Sequence, residues 1–206
     1  MTRTVTLDAA ASPRANAILT EMLLALQAML RLPPTWSAAH SAQLGAAIRA
    51  YDAYIQHVVT AHPMTCRRGC TACCHDNPRG VSGVEGRWLG EWIDGQPDGA
   101  ALRARFGELA ARGLPAEAWR AARVPCPLLD DQGSCRAYFR RPLACRAFHA
   151  LTPAEWCDPD DPRYSERVNP HLDPPAILQQ FFAALSHRLA LGEPMDLHHS
   201  LGAPPG

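Results

Sequence analysis

Eight cysteines are the residues of this 206-residue chain whose type and spacing suggest chemistry. Four of them form a close group with the pattern C-x3-C-x2-C-C, from Cys66 to Cys74. If this stretch is helical, at about 100° per residue, the four sulfurs fall within an arc of about 100°. If it is a loop, Gly69 permits the sharp turns with which a chain wraps around a metal. In either case at least three thiols can converge on one centre.

A second group of cysteines is spread over a longer stretch. It begins at Cys126 and ends at Cys157, with intervals of eight, nine and eleven residues between its members. Turn-forming residues such as Pro125, Gly133 and Pro142 stand near these cysteines and expose backbone amides that can hydrogen-bond thiolate sulfur. The predicted ligand pool is Cys66, Cys70, Cys73, Cys74, Cys126, Cys135 and Cys145, with Cys157 as a weaker member.

The compartment decides what clustered cysteines do. No basic cap leads into an apolar stretch at the start of the chain, and the nearest apolar segment is interrupted by Glu21 and Gln27, so we expect no signal peptide. No window reaches the roughly 18–20 apolar residues that a membrane span needs. We therefore expect a cytoplasmic protein whose cysteines bind metal. Because eight is an even number, internal disulfides, and with them a thiol redox protein, remain an alternative.

The charged residues exclude several classes of function. The 20 basic residues balance 20 acidic ones, which leaves no excess for a nucleic-acid partner. Every base is arginine, and the lack of lysine excludes Schiff-base catalysis and a P-loop. Arginines close to the cysteines can offset the negative charge of a thiolate centre without becoming ligands. The alternative is that arginine is simply the only base of this chain. The arginines in question are Arg67, Arg68, Arg136, Arg140, Arg141 and Arg146.

Taken together, the two groups resemble the CxxCxxCC family of zinc- or iron-chelating proteins, also labelled YkgJ-type cysteine cluster proteins. The resemblance implies a bacterial protein with a cysteine-ligated zinc or iron–sulfur centre and without a defined activity. Flagellin lysine N-methylases carry a similar cysteine domain in longer chains, and this chain looks too short to hold the rest of such an enzyme. The matching residues, within about 63–148, are the first group, Cys126-Pro127-Leu128, Cys135, Tyr138, Arg141-Pro142 and Cys145-Arg146.

The spacing favours an iron–sulfur cluster of the 4Fe-4S type over zinc. Zinc sites normally use two close pairs of ligands, which the second group does not offer. The first group can supply three ligands of a cluster and the second group a fourth. The spacing from Cys66 to Cys73 also fits the cluster site of radical S-adenosylmethionine enzymes, but Ala72 replaces the usual aromatic residue and no barrel pattern follows. A metal-dependent oxidoreductase, or an enzyme that modifies a protein or peptide partner, stays an alternative without an assigned catalytic residue.

Three histidines stand near the cysteines. His62 and His75 flank the first group, and His149 follows Cys145. Each could join a mixed Cys/His site, although a surface or capping role is more common for such residues. His198 and His199 are expected to lie in a fraying tail without a metal role.

Apolar residues recur at helical spacing along most of the chain, with no series of alternating β-branched runs. The sequence therefore predicts a mainly α protein, a single small helical domain with an irregular, metal-organised cysteine-rich centre. Residues 1–11 are expected to be a loose tail, and the prolines between 157 and 175 to prevent regular structure. The other expected segments are N-terminal helices in 12–62, the cysteine cluster region 63–157 and a C-terminal helix in 173–191.

Overall fold

The computed structural model describes residues 3–6, 12–61, 64–66, 69–75, 80–158, 160–171 and 173–202. These residues confirm the mainly α prediction. The helices are α1 (Pro13–Leu30), α2 (Ala38–Ala61), α3 (Gly83–Asp94), α4 (Gly99–Ala111), α5 (Ala116–Ala122), α6 (Leu143–Arg146), α7 (Asp173–Arg188) and α8 (Leu197–Gly202). The strands are β1 (Arg3–Thr6), β2 (Gly80–Val81), β3 (Val168–His171) and β4 (Met195–Asp196). Within the described ranges, no helix has the length and apolar character needed to cross a membrane.

The ends of helix α1 follow from the residues that flank it. The Ser12 hydroxyl accepts a hydrogen bond from the Ala15 N–H at 3.1 Å, and Pro13 occupies the first turn, where its missing N–H costs nothing. The helix ends two residues before the predicted Leu32. There, a guanidinium nitrogen of Arg188 in α7 donates to the carbonyl of Leu32 at 2.9 Å and so satisfies an acceptor at the helix end.

One hydrophobic core joins helices α1, α2, α3 and α7. Its members recur at helical spacing on each helix, which is why the sequence pattern predicted these helices correctly. Burial of each large apolar side chain contributes roughly 1.5–3 kcal/mol. The fully buried members include Met29, Leu44, Tyr51 and Phe182. No cysteine belongs to this core, although Leu143 of α6, the helix that carries Cys145, does.

A second core lies between α3, α4 and α8 and reaches the cysteine region. Leu89, Phe106 and Leu201 are fully buried in it, and the half-buried Cys126 and Cys135 pack against it. Helices α4 and α8 approach so closely that a Cβ on Gly202 would lie 2.7 Å from the backbone of Gly107. This second core therefore holds one wall of the cysteine region in place.

Two segments differ from the sequence-based expectation. Residues Arg3–Thr6 form strand β1, which pairs in parallel with strand β3, so the prediction of a loose tail over 1–11 is wrong for these residues. Strand β3 and the short 3-10 turn Tyr164–Glu166 also contradict the absence of regular structure over 157–175. Pro170 is tolerated because each strand of a two-stranded sheet has a free edge. Four-residue strands are too short to show an alternating pattern.

Candidate metal centre

Six of the eight cysteines line a single cavity of about 90 Å³. It combines three cysteines of each group, so residues more than fifty positions apart in the chain face the same space. The thiols surround this space and do not meet at one point: among the described residues, no three Cys, His, Asp or Glu side chains are arranged to hold one ion. The lining cysteines are Cys70, Cys73, Cys74, Cys126, Cys135 and Cys145.

The first cysteine group is a loop that closes into a tight turn, and so the second of the two predicted geometries applies. Gly69 has φ +84°, in the left-handed region that favours glycine. Ala72–Cys74 then form one turn of 3-10 helix, in which the N–H of Cys74 donates to the carbonyl of Thr71 at 2.8 Å. This turn brings both Cys73 and Cys74 to the cavity wall.

The second group meets the first through the backbone. The N–H of Cys126 donates to the carbonyl of Cys74 at 3.0 Å. The chain then reverses at Asp130, whose carboxylate accepts the N–H of Ser134 at 2.7 Å, and returns to a bridge between Leu129 and Cys135. The reversal places Cys126 and Cys135 on the same side of the cavity.

Backbone amides point at two of the cysteine sulfurs. The N–H of Leu128 bonds the thiol of Cys126, and the N–H of Ala137 bonds that of Cys135. Each donor stands two residues after its cysteine, in a turn. Such bonds favour the negatively charged sulfur that a metal requires.

Cys66 and Cys157 do not line the cavity. The segment before Cys66 is tied elsewhere, because the Thr65 hydroxyl donates to the carbonyl of Thr152 at 2.7 Å. Burial raises the pKa of Cys66 to about 11, and the neighbouring thiols, Cys157 among them, also raise it. The N–H of Ala150 bonds the Cys66 sulfur and acts in the opposite direction. The predicted pool of eight is thus divided into six cavity cysteines and two that lie beside them.

Comparison with known proteins identifies this region. Residues 65–161, which include all eight cysteines, match the family model described as "CxxCxxCC: Putative zinc- or iron-chelating domain". We refer to this matched region as the CxxCxxCC domain. No curated protein and no solved structure matches the chain. The family description and the six cysteines that line one cavity support metal binding by the CxxCxxCC domain.

Several thiols of the CxxCxxCC domain have raised pKa values, which favour their neutral form. Burial raises the pKa of Cys126 to about 12 and also raises those of Cys135 and Cys157. A hydrogen bond with the side chain of Cys73 is the main cause that raises the pKa of Cys74. A reactive cysteine needs a lowered pKa, so these four thiols lack the property of a reactive cysteine. A metal bound to those that line the cavity would displace their protons.

Of the arginines predicted to offset thiolate charge, Arg141 lines the cavity, and its guanidinium lies 3.7 Å from the ring centre of Tyr138. The expectation is wrong for Arg136, which is bound to Asp98 at the surface, and for Arg140, which stacks on the ring of Trp88. Arg67 and Arg68 lie outside the described residues.

The predicted histidines do not line the cavity where the structure describes them. A nitrogen of His75 donates to the carbonyl of Thr71 at 3.0 Å, and burial lowers the pKa of His149 to about 4. His62 lies outside the described residues. His198 does line the cavity, which corrects the expectation of a fraying tail at this position. Asp196, whose carboxylate caps α8, was the sequence signal for this helix.

Two buried ionisable side chains fix the helix that carries Cys145. Glu85, in the first turn of α3, accepts the N–H of Leu143 at 2.6 Å and that of Ser82 at 3.0 Å. Arg146, whose side chain is 1% exposed, donates to Asp52 of α2 at 2.6 Å. Cys145 lies between Leu143 and Arg146, so helices α2 and α3 together set its position.

Replacing Glu85 with glutamine is expected to lower the free energy of unfolding by about 1–3 kcal/mol, because its amide nitrogen would face a backbone N–H of Ser82 or Leu143. Burial raises the pKa of Glu85 above its ordinary value of 4.5. The stability that protonation of Glu85 provides is fully present below that value and is lost as the pH rises through the folded-state pKa. In urea unfolding, the advantage of the wild type over Glu85→Gln should therefore grow as the pH falls from about 8 to about 5.

The matched control for this change is Glu108→Gln, on an exposed position of α4. It should alter neither the free energy of unfolding nor its dependence on pH. A wild-type advantage that shrinks towards acid pH would mean that the folded protein stabilises the charged form of Glu85.

Proposed function

We propose that the CxxCxxCC domain holds an iron–sulfur cluster of the 4Fe-4S type in its cysteine cavity, as a metal-binding protein of the cytoplasm. The observation that carries the proposal is that six thiols, three from each group, line one cavity. A bound cluster supplies one-electron transfer, and the thiols are the pool from which its four ligands come.

The arrangement of the thiols supports a cluster over a single zinc ion. A structural zinc site draws four ligands to about 2.3 Å from one ion. Here the cysteines surround a space of about 90 Å³, and within the described part of the chain no three of them meet around one point. A four-iron cluster spreads its ligands over four metal atoms, so it fits thiols that are spaced around a cavity.

The walls of the cavity support a site that is shielded from water. Trp119 and Leu128 are buried and contribute apolar surface, and Tyr138 covers a further part of the wall. The amides of Leu128 and Ala137 donate to two of the sulfurs. Hydrogen bonds to sulfur and exclusion of solvent are the features by which a protein sets the reduction potential of a cluster.

The high pKa values of the thiols count against the alternative of a thiol redox protein. Disulfide exchange proceeds through a thiolate, and thiols such as those of Cys66 and Cys126, with pKa values of about 11 and about 12, rarely provide one. Metal binding, in contrast, displaces the protons.

Anaerobic purification followed by metal analysis tests the proposal. We expect about four iron and about four acid-labile sulfide per chain, with a broad visible absorption that bleaches on reduction. One or two equivalents of zinc without visible absorption would replace the cluster by a zinc site. Much less than one equivalent of either metal would overturn the metal-binding role.

One observation favours a second candidate, a metal-dependent enzyme acting on a protein or peptide. An open groove of about 470 Å³ runs beside the site and is lined by Cys70, His75 and Arg123 among others. Since Cys70 also lines the cavity, a substrate in this groove would lie next to the metal centre. Closure of all coordination positions by protein ligands in the metal-loaded protein would contradict this candidate.

A further inference from the structure

Three histidines have a buried ring nitrogen without a hydrogen-bond partner among the described residues: His40, His149 and His198. Leaving such a nitrogen unpaired costs free energy, and in folded proteins most buried polar atoms have a partner. Of these three histidines, His198 alone lines the cysteine cavity. It is 5% exposed, and Nδ1 is its unpaired atom.

The ring of His198 is held by aromatic contacts that offer no acceptor. Its centre lies 4.7 Å from that of Trp119, in an edge-to-face arrangement, and 6.0 Å from that of Phe106. The Asp196 carboxylate accepts the backbone N–H of His198 at 2.9 Å and so fixes the start of α8. The imidazole is therefore oriented before any ligand binds.

The carboxylate of Asp196, two residues before His198, already has partners. An oxygen of Asp196 lies 2.6 Å from Nδ1 of His199, which is on the outer face of the same helix. A partner for His198 has to come from a space beside it, and two such spaces exist. One is the cysteine cavity; the other, of about 160 Å³, is lined by Trp119, Asp196 and His198 and has room for water.

We propose that His198 supplies a nitrogen ligand to the metal centre, beside the cysteine thiols. The inference rests on the proposed metal-binding function and adds a ligand from α8, outside residues 65–161 of the CxxCxxCC domain. Imidazole is a common ligand of both zinc and iron. Through its aromatic contacts, His198 would link the metal centre to the second hydrophobic core.

The test compares the metal-loaded wild type with His198→Phe and His149→Phe. Phenylalanine keeps a ring of similar size between Trp119 and Phe106, and His149 is the matched control because its unpaired nitrogen does not line the cavity. Pulsed electron paramagnetic resonance detects nitrogen bound to reduced iron, and X-ray absorption detects nitrogen at about 2.0–2.1 Å from zinc. We expect the nitrogen signal in the wild type and in His149→Phe, and its loss in His198→Phe.

Labelling the wild type with 15N-histidine provides a measurement that needs no variant to fold. A metal-loaded protein with sulfur ligands alone, or a nitrogen signal that persists in His198→Phe, would overturn this inference and leave the metal-binding function intact. If the metal has sulfur ligands alone, water in the neighbouring space would be assigned as the partner of His198. A wild type that binds no metal would overturn both.

Discussion

Replacing Cys126 with alanine is expected to weaken metal binding by at least about tenfold, whereas replacing Cys157 with alanine should leave most of the metal in place. Cys126 lines the cavity and receives the N–H of Leu128 on its sulfur. Changes to groups that merely support metal ligands already cost about 10–100-fold in affinity, so loss of a ligand should cost no less. Cys157 does not line the cavity.

The comparison separates ligation from packing. Cys157 is 7% exposed and Cys126 is only partly buried, so a loss of packing alone would affect the Cys157 variant at least as strongly. Metal per chain after anaerobic purification, and its retention against a chelator at increasing concentration, are the measurements. Equal losses in the two variants would mean that the cavity is not where the metal binds.

Patterns local in the sequence were sufficient to predict most of the fold. Helical spacing of apolar residues predicted the N-terminal helices α1 and α2 and the C-terminal helix α7. The two cysteine groups were also visible, because ligands of one centre lie close together in the first group. Strands β1 and β3 were missed, since a parallel pair of four-residue strands depends on a contact between distant parts of the chain.

Which cysteines face the cavity could not be predicted from spacing. Cys66 belongs to the first motif but lies away from the cavity, because Thr65 is bound to Ala150 and Thr152. Cys126 reaches Cys74 through a backbone hydrogen bond across a large sequence separation. These tertiary contacts divide the thiols, and no local pattern encodes them.

The same reason explains the errors for charged and titratable residues near the site. Arg136 stands next to Cys135 in sequence, but its guanidinium donates to the carboxylate of Asp98 at the surface, at 2.7 Å. His198 is far from every cysteine in sequence and is brought to the cavity by the six-residue helix α8, too short to show a helical pattern. Proximity in sequence thus overestimated the role of arginine and gave no sign that a histidine lines the cavity.

Removing the metal is expected to open the cysteine region and to leave the first hydrophobic core folded. That core is formed mainly by α1, α2, α3 and α7; Leu143 of α6 contributes to it, and no cysteine does. In the cysteine region, by contrast, the cavity walls are connected by 3-10 turns and by single backbone hydrogen bonds such as that from Cys126 to Cys74. Burial and neighbouring thiols also disfavour the thiolate form of Cys74 and Cys126 unless a cation is present. Apparent binding free energies of structural zinc sites reach about 10–16 kcal/mol, comparable with the total stability of a domain. We therefore expect the metal to contribute much of the free energy that holds these walls together.

Hydrogen exchange of the metal-loaded and the chelated protein measures this directly. Protection of the amides of Leu128, Ala137 and Cys126 should fall towards that of an unfolded segment, while amides in the middle of α1 and α2, near Ala25 and Tyr51, keep theirs. Far-ultraviolet circular dichroism should change little, since the long helices carry most of the signal. If protection in α1 and α2 were lost to the same extent, the whole chain would fold as one metal-dependent unit. Unchanged protection throughout would mean that the cysteine turns are stable without metal, and that the cavity is a preformed site whose geometry owes nothing to the ion it binds.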